Sequence, residues 1–361
     1  MQKAQAVKDN KGSFVSFLLL LVTFGLVAAL LLWLKVAAAN TLELALPNEI
    51  QDFITLALSI VVEALPFVVL GALVSAIIRL FGATQRLMHL LPKRPLLRRL
   101  SISLLGTFMP VCECGNVPVA RGLVIRGMSV SESMTFLLAA PILNPVTLLA
   151  TSQAFRLDPS IVWIRMAGAL LIANLVGGLI ALHKNQMELV TKGFYNTLCE
   201  VEVADDHGHQ HDHGSHDDHH HHGPAGRASR LQEGIVVFRD EVSLMLKMLC
   251  LGAVIAGLTQ VFVPREVLTT LGSHPVLSIL AMIALAFVIS ICSNVDAFFA
   301  LAYSSTFTVG SIVAFLVFGP MIDIKMLALM RTTYKTRLLA VVTLVVTLSS
   351  ILIGLVVNYA L

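Results

Sequence analysis

Two short polar patches interrupt an otherwise apolar sequence: Pro110-Val-Cys-Glu-Cys-Gly-Asn116 and, about 180 residues later, Cys292-Ser-Asn-Val-Asp296. Their residue types are those of a soft-ion site. Thiolates select soft ions; trivalent arsenic and antimony take up to three of them in a pyramid, and a monomethyl arsenical needs only two. Cys112 and Cys114 are the first candidate ligands and Cys292 the third, with Glu113, Asn116, Asn294 and Asn144 as polar neighbours in one substrate site. On the residues alone, each thiol has a second reading as a small packing residue of an interior helix. For Cys250 that packing reading is the preferred one.

Spacing constrains the backbone that carries these groups. Residues two apart on a helix point to nearly opposite sides, so Cys112 and Cys114 can share a ligand only on extended chain. Pro110 and Gly115 suit an unwound stretch, because proline disrupts a helix and glycine tolerates unusual dihedrals. Such backbone is tolerated at membrane depth only where protein covers it or where it lines a cavity, so the segment is expected to line a pathway. A half-helix beginning near Asn116 or Asn294 would aim free N–H groups at a polar or anionic substrate, and simple capping of a broken helix is equally compatible.

Pro141-Ile-Leu-Asn-Pro145 interrupts a further segment and offers the Asn144 amide. Its counterpart, Pro320-Met-Ile-Asp323, puts a carboxylate in that place. Asp323 and Asp296, with Glu113, are candidates for proton coupling, because ionisable groups at membrane depth cost roughly 2.5–3.5 kcal/mol for a central Asp and mark relays. The alternative is structural ion pairing, for Asp323 with Lys325 or Arg331. Glu63, just before Pro66, is a weaker coupling candidate, and Glu132 is expected at the membrane interface.

The elements that must position these groups are membrane helices. The 361 residues are 57% hydrophobic and 13% charged, and the mean hydropathy is +0.84, which excludes an ordinary soluble domain. Apolar runs long enough to span hydrocarbon occupy about 13–38, 53–80, 130–155, 161–183, 238–263, 309–330 and 337–360. The run Phe14–Leu34 is read as a true first helix rather than a cleaved signal. Arg79, Arg86, Lys93, Arg94, Arg98 and Arg99 form a positive-inside anchor. A net charge of +3 with basic residues at membrane edges implies no nucleic acid. Five cysteines, four of them in apolar segments, argue against a disulfide scaffold. No Walker loop is present, so any drive comes from an ion gradient or a partner.

Three landmarks repeat in one order at nearly the same offset. Leu70-Gly-Ala-Leu matches Leu251-Gly-Ala-Val, Cys114-Gly-Asn116 matches Cys292-Ser-Asn294, and Ala140-Pro-Ile-Leu-Asn144 matches Gly319-Pro-Met-Ile-Asp323. The expected fold is therefore an all-α polytopic membrane protein with one extra N-terminal helix and two internally duplicated helical halves, inverted, each with a broken or re-entrant segment. The boundaries are 1–48 (N-terminal helix and outer loop), 49–183 (first repeat), 184–236 (His/Asp-rich flexible loop) and 237–361 (second repeat).

Whether 97–126 and 275–303 cross or double back sets the orientation. With the N-terminus inside, the hairpin reading leaves only Lys35, Arg156, Arg165 and Arg265 outside. The crossing reading puts Lys35, Arg121, Arg126, Lys184, Lys192, Arg227, Arg230 and Arg239 there, which is worse. The hairpin reading makes the 184–236 loop cytoplasmic. That loop carries His207, His209, His211, His213, His216, His219, His220, His221 and His222 among aspartates. The stretch 205–222 has no apolar content to bury and is expected to be disordered. Its imidazoles and carboxylates suit zinc, copper or nickel; the other reading is a solvated spacer. No resident cofactor is required; a divalent metal ion in 205–222 is the one candidate. The expected partners are a metalloid or metal-ion substrate and the lipid bilayer, with homo-oligomerisation compatible.

Pro110-Val-Cys-Glu-Cys-Gly-Asn-Val-Pro-Val-Ala-Arg121, Phe136-Leu-Leu-Ala-Ala-Pro-Ile-Leu-Asn-Pro145 and Cys292-Ser-Asn-Val-Asp-Ala-Phe298 together resemble the ArsP/YraQ-like permease family over nearly all of 50–360. The resemblance implies a bacterial inner-membrane permease exporting trivalent arsenicals, inorganic or methylated, with Cys112, Cys114 and Cys292 at the metalloid-ligand positions. This chain departs from the familiar Cys-x-Cys by placing Glu113 between the thiols, and its His/Asp loop exceeds what arsenic export requires. The leading reading is a secondary efflux permease for a thiophilic metalloid, not an enzyme, working by alternating access. The runner-up is a divalent transition-metal exporter using the His/Asp loop. A membrane thiol oxidoreductase is the remote third, because a Cys-x-Cys disulfide closes a strained ring.

Overall fold

The computed structural model describes residues 48–81, 91–108, 112–156, 158–198, 227–262 and 275–360. The expected first helix at 13–38 and the histidines of 205–222 lie outside the described residues. The chain divides into two compact units, Met1–Asp52 and Phe53–Leu361. Only the first turn of one helix is described in the former, so the architecture below is that of the latter. Among the described residues there is no strand, only an isolated antiparallel bridge between Val190 and Tyr334.

The helices are α1 (Asn48–Phe81), α2 (Pro95–Ser103, continued by a 3-10 turn at Leu104–Phe108), α3 (Glu113–Ile125), α4 (Val130–Leu143), α5 (Pro145–Ala154) and α6 (Ser160–Ala181). They are followed by α7 (Arg227–Phe262), α8 (Pro275–Ile289), α9 (Asp296–Ala302), α10 (Val309–Phe318), α11 (Ile324–Met330) and α12 (Thr336–Ala360). Four are long and apolar enough to cross a bilayer: Ile50–Ala76, Ser160–Ala181, Phe238–Thr259 and Thr336–Ala360. The pair α4–α5 makes a fifth if it counts as one span bent by 40°.

Local chemistry explains each break. Ser129 and Glu132 form a reciprocal capping box that starts α4. Asn144 ends α4 in extended conformation and its Oδ1 accepts from Val146 N at 2.9 Å, while Pro145 occupies the first position of α5. Asp323 repeats the device, accepting from Met326 N at 2.6 Å to start α11. The apolar run expected at 309–330 is thus two short helices separated at 319–323, because the glycine, proline and aspartate there favour turn and cap over helix. Both breaks are covered by protein, with Asn144 and Asp323 buried. α4 is buried along its whole length, as is α10 beyond its first residue. α4 packs against α6, α3 and α2, and α10 against α12 and α8. Backbone interrupted at membrane depth requires that cover.

The segments 97–126 and 275–303 double back. Arg98, at the start of the first, pairs with Glu132 at 2.6 Å, a few residues beyond its end. Ser278 meets the Thr308 hydroxyl at 3.0 Å, closing the second in the same way. The two hairpins enter from opposite ends of α12. Ser131 N at the first hairpin's base donates to Gln186, and Leu189 O just beyond accepts from Lys335 N, beside the first residue of α12. At the second hairpin's base, Asn358 near the end of α12 donates to Pro275 O at 3.1 Å and accepts from Gly310 N at 2.8 Å. The 25 residues of α12 separate these bases by about 37 Å at 1.5 Å per residue. The interior ends of both hairpins meet between them.

Candidate functional site

The first hairpin turns at Cys112, whose backbone is extended (φ −70°, ψ 173°) and which stands as the N-cap of α3. The second turns at 290–295, where Ser290 adopts a left-handed φ of 52°. That conformation is uncommon for a residue with a Cβ and costs on the order of 1–2 kcal/mol. The Ser290 carbonyl oxygen accepts from Lys325 Nζ at 2.8 Å, so this turn is held by a side chain of α11.

Lys325 Nζ lies 2.9 Å from Glu113 Oε1 and 3.6 Å from Asp323 Oδ2. The other Glu113 oxygen accepts from the Ser293 hydroxyl at 3.0 Å and its backbone N–H at 3.4 Å, with the Cys292 thiol at 3.9 Å. All of these residues are buried. The Cys112 and Cys292 sulfurs and a Glu113 oxygen lie within 4.8 Å of one another. The Cys112 thiol also sits beside that of Cys114. A small cleft is lined by these three cysteines, Glu113, Lys325, and Ile60, Glu63 and Ala64 of α1.

Several sequence expectations change here. Cys112 is on extended backbone as the N-cap of α3, but Cys114 and Gly115 are already in the first turn of that helix; Pro110 lies outside the described residues. The close set is accordingly Cys112, Glu113 and Cys292, with Cys114 on the cleft wall. Asn116 is not a cap but a buried residue inside α3 whose side-chain amide has no hydrogen-bond partner among the described residues. Asn294 precedes α9 and accepts from Thr147 Oγ1 at 3.1 Å. Cys250 is not interior packing but exposed on α7. Glu132 is buried in the protein, held by its capping box and by Arg98.

Glu113, Asp296 and Asp323, the leading coupling candidates, are each tied down. Asp296 receives Arg165 through both oxygens, Nη1 to Oδ1 at 3.1 Å and Nη2 to Oδ2 at 2.6 Å, and Arg165 also donates to Thr151 at 2.7 Å. Arg165, assigned to the outer face on sequence, is thus fully buried in an ion pair. Asp323 caps α11 and approaches Lys325, while Arg331 is exposed at the other end of that helix. Lys325 and Ser293 are site residues that sequence reasoning missed. The one available signal was a lysine two residues from Asp323 inside an apolar run, which is costly at membrane depth unless paired. Glu63 also lines the cleft, from an exposed position on α1.

Chemically, the site offers neutral or anionic sulfur on two sides and a carboxylate already neutralised by an ammonium group. Such a set suits a thiophilic ligand of low net charge better than a free divalent cation, which would meet Lys325 at hydrogen-bond distance from the carboxylate it needs.

Residues 49–359 match a family profile described as "Predicted permease". The chain is 35% identical over 283 residues to the UPF0718 protein YcgR of Bacillus subtilis (strain 168), covering 78% of this chain and 88% of that one. It is 32% identical over 292 residues to a Streptococcus mutans serotype c protein named "Putative two-component membrane permease complex subunit", covering 81% and 90%. No solved structure shows significant similarity. A profile match over most of the chain, two relatives of nearly full coverage and several membrane-length apolar helices lead to one conclusion: the chain belongs to the ArsP_1 family of predicted permeases and is a multi-pass membrane transporter.

Proposed function

We propose that this permease exports trivalent arsenicals across a bacterial inner membrane, binding them at the meeting point of the hairpins. The observation that carries the reading is the buried set of Cys112, Glu113 and Cys292 donor atoms within 4.8 Å. Arsenite is neutral at working pH, and each As–S bond forms as a thiol proton leaves with an arsenic hydroxide as water. Two thiols therefore capture arsenite with no change in net charge, which suits a pocket whose one carboxylate is already paired with Lys325. Cys114 supplies a further sulfur from the cleft wall. The first hairpin's base, with Arg98, Arg121, Arg126, Lys184 and Lys192, is placed on the cytoplasmic side by the positive-inside rule, together with the 184–236 loop. Drive comes from an ion gradient or a partner subunit; the name of the streptococcal relative supports the latter.

The test is arsenite and methylarsenite uptake into inside-out vesicles, where export appears as accumulation. Cys112→Ser and Cys292→Ser are each expected to reduce uptake by on the order of 100-fold, because the second As–S bond forms intramolecularly and its high effective concentration is lost, and Cys114→Ser by less. Unchanged uptake in the Cys112→Ser, Cys292→Ser double variant would sink thiol ligation. Zinc, copper and nickel tolerance after deletion of 205–222 separates the divalent-metal reading: that reading requires a loss of tolerance, and arsenical export does not.

A further inference from the structure

Two buried arginine–carboxylate pairs outside the thiol cluster share one logic. Arg121, on α3 of the first hairpin, donates from Nε to Glu241 of α7 at 2.8 Å, and from Nη1 to Thr332 O and Thr333 Oγ1, each at 3.1 Å. All three partners lie in the second half of the chain, and the guanidinium also stacks over the Phe194 ring at 4.6 Å. Asp296, on α9 of the second hairpin, is held bidentately by Arg165 of α6, in the first half. Each hairpin is therefore tied by one ion pair to a long helix of the opposite half, and the sign is reversed between them: the first hairpin carries the cation, the second the anion.

Their positions along the molecule differ. Arg121 follows Glu113 by eight residues on α3, about 12 Å towards the first hairpin's base at 1.5 Å per residue, level with the start of α12. Arg165 stands near the start of α6, whose other end meets the first hairpin's base through Gln186. One pair thus lies on each side of the thiol cluster. Moving substrate from one face to the other requires each hairpin to part from the opposite half in turn, and these two pairs are polar ties between those surfaces on either side of the Glu113–Lys325 pair and the Thr147–Asn294 contact nearer the thiol cluster.

We propose that the Arg121–Glu241 and Arg165–Asp296 pairs are the two gates of the transport cycle, each closing the thiol site towards one face, and that the structure with both intact is the occluded state. The inference rests on the transporter reading but not on the arsenical substrate. Its test therefore reads thiol accessibility rather than transport, so that one-sided opening without arsenical binding would discard the substrate and keep the gates.

The full chain with Cys199→Ser and Cys250→Ser, which leaves Cys112, Cys114 and Cys292, is labelled with a membrane-impermeant maleimide in right-side-out and inside-out vesicles. Glu241→Gln is expected to raise labelling about tenfold from the first hairpin's face alone, and Asp296→Asn from the opposite face alone, as a shifted two-state population requires. Labelling that rises from both faces together, or from neither in folded protein, overturns the proposal. Should a neutral variant not fold, the reversed pairs Arg121→Glu with Glu241→Arg and Arg165→Asp with Asp296→Arg replace it. Folded reversed pairs with low labelling from both faces support gating. Reversed pairs that label from both faces, or that do not fold, assign the ion pairs a structural role only.

Discussion

Replacing Lys325 with methionine is expected to destabilise the protein by about 3–5 kcal/mol, the loss that follows when one member of a buried charge pair is removed. Methionine is long, flexible and apolar, so it fills much of the same volume, and the loss is electrostatic rather than a cavity effect. The residue is 4% exposed. It is the cation for Glu113 at 2.9 Å and approaches Asp323 at 3.6 Å. Its Nζ also satisfies the carbonyl of Ser290 in the strained turn of the second hairpin. Without it, Glu113 faces Asp323 in a buried site with no cation between them. The measurement is thermal unfolding of the purified protein in detergent. Adding Glu113→Gln to Lys325→Met is expected to recover most of the loss, because the glutamine amide needs no counter-charge. A single variant as stable as the parent would show that the charge pair does not hold the hairpin ends.

The second large effect is expected at Gly71. A Cβ there would lie 2.1 Å from the Gly115 carbonyl oxygen, 2.8 Å from its carbonyl carbon and 2.9 Å from its Cα. These are backbone atoms of α3, with no side chain to rotate aside, so Gly71→Ala has to push α1 and α3 apart. Overpacking of this kind costs about 1–3 kcal/mol. Because α1 carries Ile60, Glu63 and Ala64 on one wall of the cleft and α3 carries Glu113 and Cys114 on the other, transport is expected to fall on the order of tenfold or more, as misplacements near 1 Å do. Gly193→Ala is the control. Nothing lies within 4 Å of its Cβ position, so a change within about 0.5 kcal/mol and normal transport are expected. Paired measurements of unfolding and vesicle uptake check both variants; normal uptake in Gly71→Ala would mean that the α1–α3 contact does not set the cleft.

Much of the fold was legible because its signals are local. Long apolar runs report spans by length alone, and four of the expected ones appear as membrane-length helices. The Ser129-x-x-Glu132 box and the Asn144-Pro145 break also follow from side-chain chemistry within a few residues. Other features were read wrongly for the same reason. The spacing of Cys112 and Cys114 pointed to a wholly unwound ligand pair, but Cys112 caps a helix that already contains Cys114. The run 309–330 looked continuous on hydropathy, which does not register how well Asp323 caps a new helix.

The candidate site divides along the same line. The chain by itself determined its class, its breaks and the identities of Cys112, Glu113 and Cys292, because thiols and carboxylates inside apolar sequence are costly enough to stand out one residue at a time. Tertiary structure decided which of them meet. Glu113 finds Lys325, Asp296 finds Arg165 and Arg121 finds Glu241 across the two halves. No sequence period relates these partners. They are brought together by two hairpins entering from opposite ends of α12 and by the close approach of α1 to α3 at Gly71. A buried charge must have a partner, but which partner depends on packing, and packing is a property of the whole molecule.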